Sequence, residues 1–189
     1  MSVLGSATAA ALASALALGT PPLVNVCWDY GCDHSQRLVL PPADWAAIRS
    51  LFHPDPANPA GERERIAHAI ARFETAVGRA TGTDRDRGGN REGSGTPGQL
   101  DCIDESRNTS GYLQILAEHD LLRWHRVGER HRRAKWIFDV HWTAVIVERR
   151  SGQRWAVDSW YLDNGKRPYL QRLPAWYDKA ELPPNPDAP

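Results

Sequence analysis

The chain lacks any surplus of charge: 23 Lys and Arg meet 23 Asp and Glu among 189 residues. A nucleic-acid groove or a polybasic membrane patch needs an excess of Lys and Arg, so neither is expected. The arginine-rich spots at Arg130, Arg132 and Arg133 and at Arg149 and Arg150 read as solvated surface. No Gly-Lys-Ser/Thr ends the glycine-rich stretch at 81–98, so a phosphate-binding loop is not encoded there. No internal repeat is visible. Cysteine is scarce and odd in number: Cys27, Cys32 and Cys102. If the first two pair, one thiol is left over.

What is present suits one globular domain, with 41% hydrophobic and 24% charged residues. Eight Trp are many for this length. Each buries a large area while keeping one donor to place, so most belong to the core or a cleft wall. The run Val3 to Gly19 carries no charge and is dominated by Ala and Leu, and Pro21-Pro22 breaks it. Residues 1–22 therefore read as a secretory signal or membrane anchor, 23–182 as the domain, and 183–189 as a loose, disordered tail. The expected location is exported, periplasmic or membrane-anchored, and cytoplasmic if the first segment is not a signal. Cys27 and Cys32 are separated by Trp-Asp-Tyr-Gly, a gap that can close as a disulfide loop. Metal binding with His34, or two free structural thiols, are the other readings.

Along the chain, Trp45, Ile48, Leu51 and Phe52 fall at helical spacing from Pro42 to Phe52. A longer helix over 62–80 stacks Ile66, Ile70, Phe73 and Val77 on one stripe. Thr81 to Gly98 is a long loop, read as a cleft wall or lid because it runs straight into Cys102. Leu100 to His119 is a central helix with Asp101 as its N-cap. Strands follow at 122–127, 136–147 and 154–161, with a two-residue turn at Ser151-Gly152, and a short helix at 173–177 closes the chain. Helices first and antiparallel strands second predict an α+β class: N-terminal helices and a central Cys-bearing helix packed on an antiparallel sheet.

A Cys in the first turn of a helix sits where unpaired N–H groups and the helix dipole favour an anion, which promotes the thiolate. It needs a base, and the base needs an orienting group. His141 and Asp158 offer these from one face of two adjacent strands. The Ser151-Gly152 turn pairs Val145 with Asp158 and Leu162 with His141, so a bulge or tighter turn near Arg149-Arg150 is required to bring His141 and Asp158 together. Gln99 and the Cys102 amide are candidate oxyanion donors. Asp104 and Glu105, one turn along, are candidate substrate contacts for a basic group, and Trp142 and Trp160 are candidate cleft walls.

Gly98-Gln-Leu-Asp-Cys102-Ile-Asp-Glu-Ser resembles the nucleophile segment of transglutaminase-like proteins. His141-Trp-Thr-Ala-Val-Ile-Val-Glu, the Ser-Gly turn and Trp155-Ala-Val-Asp158 resemble their His strand, hairpin and Asp strand. The spacings, 39 from Cys to His and 17 from His to Asp, are similar to those of the bacterial transglutaminase-like cysteine proteinases. The resemblance implies a papain-like α+β fold, a Cys102–His141–Asp158 triad and amide-bond chemistry on a peptide or protein, either hydrolysis or acyl transfer, with no cofactor and no metal. Cys-Ile-Asp-Glu-Ser departs from the small residues usual around that nucleophile. The alternative is a non-catalytic binding module on the same fold.

Overall fold

The computed structural model describes residues 19–134, 140–182, 184 and 187. The signal or anchor reading of 1–22 falls almost wholly outside them. So does most of the tail, but Asp187 is not loose: it pairs with Arg167 at 2.6 Å and accepts that residue's backbone N–H.

The chain opens with an antiparallel hairpin, β1 (Leu23–Trp28) and β2 (His34–Val39), in register from Leu23↔Val39 to Trp28↔His34. The sequence reading had no strands here. Helix α1 (Pro42–Ser50) buries Trp45 and Ile48. Helix α2 (Pro59–Thr81) starts with Pro59 at its first position and an Asn58 cap whose side chain accepts from the Gly61 amide at 2.8 Å. It stops at Gly82, whose φ of 81° is the left-handed cap that a side chain resists. Its stripe of Ile66, Ile70, Phe73 and Val77 is buried, as the spacing requires. Helix α3 (Cys102–Glu118) lies against it, with Phe73 and Tyr112 stacked at 4.8 Å.

The main sheet runs in the order β3 (His125–Val127), β5 (Val140–Glu148), β6 (Arg154–Asp158), β7 (Tyr169–Arg172). A further strand, β4 (His131–Ala134), pairs the start of β5 on the edge that β3 takes at its end. Residues 135–139, where the predicted strand began, lie outside the description. Pleat alternation gives β5 two buried faces. Ala144 and Ile146 join Val157, Tyr112, Leu113 and Leu116 in the inner core. Val145 and Val147 join Ala156, Leu173 and Trp176 on the outer face, under helix α4 (Leu173–Tyr177). Truncating a fully buried member such as Leu116 or Phe73 costs about 2–5 kcal/mol. The protein is therefore α+β, with helices packed on antiparallel sheets.

The register corrects the turn. Glu148 and Gln153 close a four-residue turn, with the Glu148 N–H donating to Gln153 O at 2.8 Å, so Val145 faces Ala156 and not Asp158. Continued one step, the ladder sets Thr143 opposite Asp158 and leaves His141 diagonal to it on the same face. A diagonal separation is within reach of long side chains. The pair therefore meets without the expected bulge.

Candidate active site

Asp101 caps α3 and accepts from the Ile103 and Asp104 amides, both at 2.9 Å, while Asp104 accepts back from the Asp101 amide. This reciprocal box fixes the start of the helix, and Cys102 is its first residue. The Cys102 N–H at that position lies outside the helical ladder. Cys102 is a half-buried free thiol whose Sγ sits 3.9 Å from Val140 O, at the head of β5.

His141 is the next residue. Its Nε2 meets Asp158 Oδ2 at 2.8 Å, and the Cys102 side chain is near enough to favour the charged ring. With Nε2 on Asp158, Nδ1 is the nitrogen left for sulfur. Burial disfavours charge on the ring, but Asp158 and Cys102 outweigh it and raise His141 to about 9. Asp158 Oδ2 accepts a second bond, from Trp176 Nε1 at 2.7 Å. Rings of Trp160, Tyr161 and Trp176 lie 5.0, 5.2 and 5.8 Å from the imidazole and keep water from three sides. Arg133 holds this wall together, donating to Tyr161 Oη and to Trp176 O while stacking over the Trp176 ring. All three predicted triad residues are thus brought together. Trp176, Tyr161 and Arg133 were not foreseen, because nothing in their local sequence separates them from core or surface residues.

The other candidates are placed differently. Gln99 is buried and engaged: Oε1 accepts from the Arg87 amide and Asn90 Nδ2, and Nε2 donates to Arg85 O. It fastens the 85–90 loop and is not turned toward an oxyanion. Asp104 is fully buried, and its oxygens hold the Tyr30 amide at 2.8 Å and the Cys32 amide at 2.5 Å. Burial, with Asp101 beside it, pushes Asp104 up to about 6. Glu105 points into the interior near Glu74, and burial lifts it well above the carboxylate range, with Glu74 itself raised to about 8. Neither acid is a substrate contact, because neither reaches solvent. Trp160 packs on the His141 ring, its centroid 5.0 Å away. Trp142 is on the opposite face of β5, half-buried beneath Arg130, which also donates to Ser106 of α3.

The long loop is held by hydrogen bonds along its length. Gly88 donates to Asp163 Oδ1, Gly89 to Trp160 O, and Asp86 accepts from the Leu100 amide at 2.7 Å. At Gly98, φ is 80° and an added Cβ would lie 2.4 Å from Gly82 O, so only glycine allows this approach to the end of α2. The hairpin docks on the start of α3. Cys27 and Cys32 form a disulfide across a turn in which Asp29, Tyr30, Gly31 and Cys32 all have positive φ. Successive amides in such a turn point one way and make an anion nest. Asp101 and Asp104 fill it, and Tyr30 Oη reaches Asn90 O on the long loop. The sulfurs and an Asp104 oxygen lie within 4.8 Å of one another, a grouping able to hold a metal. Here the sulfurs are bonded to each other and Asp104 is occupied by amides, while His34 stacks on Trp28 and pairs with Asp29.

Compared with family models, curated proteins and solved structures, the chain matches none.

Proposed function

We propose that the protein is a thiol-dependent hydrolase or acyl transferase acting on amide bonds of a peptide or protein, on a fold of the papain and transglutaminase type. The observation that carries this reading is the chain of contacts from a helix-capped thiol to His141 and on to Asp158. Cys102 sulfur attacks the carbonyl carbon. His141, protonated at neutral pH, gives its proton to the leaving amine, and Asp158 holds the imidazolium in place. The Cys102 amide is the donor nearest the developing oxyanion. Water or a second amine then takes the acyl group from sulfur. The Cys27–Cys32 disulfide supports an oxidising, exported location.

Iodoacetamide labelling tests the thiol without a substrate. At about pH 6.5, wild-type Cys102 is expected to alkylate at least about tenfold faster than in His141→Ala. Equal rates, ordinary for an isolated thiol, would overturn the reading and leave a binding module. Any turnover should show an alkaline limb near the His141 value of about 9.

A further inference from the structure

The net neutrality of the chain hides a division. Up to Asp120 there are 10 Arg and Lys against 15 Asp and Glu, and from Leu121 onward 13 against 8. The positive half is not evenly covered. Arg126 of β3 and Arg154 of β6 both pair with Val147 of β5, so two guanidinium side chains flank one valine on the outer face of the sheet. Both are exposed, and no carboxylate among the described residues pairs with either.

Two cavities open beside them. One, of about 260 Å³, is lined by Arg126, His131 and Arg154 over a floor of Val145 and Val147, with Glu129 as its single acid. The other, of about 400 Å³, is lined by Arg154, Arg172 and Tyr177 over Leu173 and Pro174, and has no acid. Arg154 is common to both, so they adjoin as one groove with cationic walls, and its exposed apolar surface is that of Pro174 and Tyr177. Tyr177 is 42% exposed within it. Burial and then the neighbouring Arg154 hold His131 below the ordinary imidazole range, as a positive local field would.

Along β5 the groove lies six residues from His141, with helix α4 packed over the strand between them. Six residues of strand span about 20 Å. A polyphosphate chain would make no use of the exposed Pro174 and Tyr177 surface. An extended peptide that alternates acidic and apolar side chains uses both the cationic walls and that apolar surface.

We propose that this outer groove is a docking site for an acidic segment of the protein substrate, held apart from the thiol by about 20 Å. The inference rests on the thiol reading for the fate of the docked segment. Binding itself is read without turnover, so failure of one is distinguishable from failure of the other. Fluorescence anisotropy with a labelled Glu-Leu repeat peptide of about eight residues provides the test. The peptide is expected to bind wild type and Cys102→Ala equally, to weaken about tenfold or more in Arg126→Glu/Arg154→Glu, and to weaken as salt rises from about 0.05 to about 0.5 M. A Lys-Leu peptide should not bind. Cys102 alkylation in the double variant should match wild type, which shows that the fold is intact, and Arg126→Gln/Arg154→Gln should give an intermediate affinity. Undiminished binding in the double variant, or no binding of the acidic peptide to wild type, would overturn the proposal. So would tighter binding of a single-stranded oligonucleotide or of phosphatidylserine vesicles at the same groove.

Discussion

Two histidine–carboxylate pairs stand in this protein at the same distance. His141 Nε2 meets Asp158 at 2.8 Å, and His125 Nδ1 meets Glu62 at 2.8 Å. Both pairs are buried. The difference lies in what else each partner touches. Glu62 takes the backbone amides of Arg123, Trp124 and His125 as well as the ring, and these bonds, set against its burial, hold it below the ordinary carboxylate range. The far nitrogen of His125 faces the Arg63 guanidinium, which can only donate. Every bond in that pair is used to fasten β3 to α2. Among the described residues Asp158 takes only the His141 ring and one indole N–H, and the far side of His141 faces a thiol. The same two functional groups make a staple in one place and, in the other, the ring on which the proposed thiol chemistry rests; what differs is the neighbour of the second ring nitrogen.

The largest expected effect breaks the staple. Glu62→Ala strands three amides and His125 without an acceptor, and should cost about 3–5 kcal/mol in denaturant unfolding. The folded fraction should still alkylate Cys102 at the wild-type rate, and a matching loss of alkylation would mean that the two pairs are not separate. Next comes pH. His141 is held at about 9, above its ordinary value of about 6.5, so the stability it adds is complete below about pH 6.5 and is lost as pH rises through about 9. His141→Gln lacks that contribution. Its deficit against wild type should shrink by up to about 3 kcal/mol between about pH 6 and pH 9.5, and a deficit that stays flat would remove the ion pair from the account. The smallest effects come from indole N–H groups. Trp176→Phe removes the donor to Asp158 and Trp124→Phe removes the donor to Pro56 O, each at about 1 kcal/mol of stability. Only the first should slow alkylation. Trp155, whose Nε1 has no partner, supplies the control, since Trp155→Phe loses no hydrogen bond.

Much of the active centre was legible in advance because its signals are local. Asp101 before Cys102 is a helix start, and alternation from His141 to Val147 is a strand. What was not legible depends on partners distant in sequence. β4 reads His-Arg-Arg-Ala, with no apolar alternation, because it is a largely exposed strand whose position comes from its ladder with β5. β2 is nearly all exposed and equally silent. The His141–Asp158 register turned on whether the turn held two residues or four, which Arg149-Arg150-Ser151-Gly152 does not announce. Asp104 and Glu105 look alike as acidic residues on a first helical turn. Only the docking of the hairpin and the packing of Glu74 show that both face inward.

The site draws on residues from Tyr30 to Trp176, which spans nearly the whole described chain. Synthesis delivers the thiol on its helix long before the strands that carry its base, and the indole that finishes Asp158 comes last. A chain halted before Trp176 holds Cys102 with an incomplete relay. The order of the chain therefore sets the order of the site: the contacts around Asp158 are complete only once the last short helix is in place.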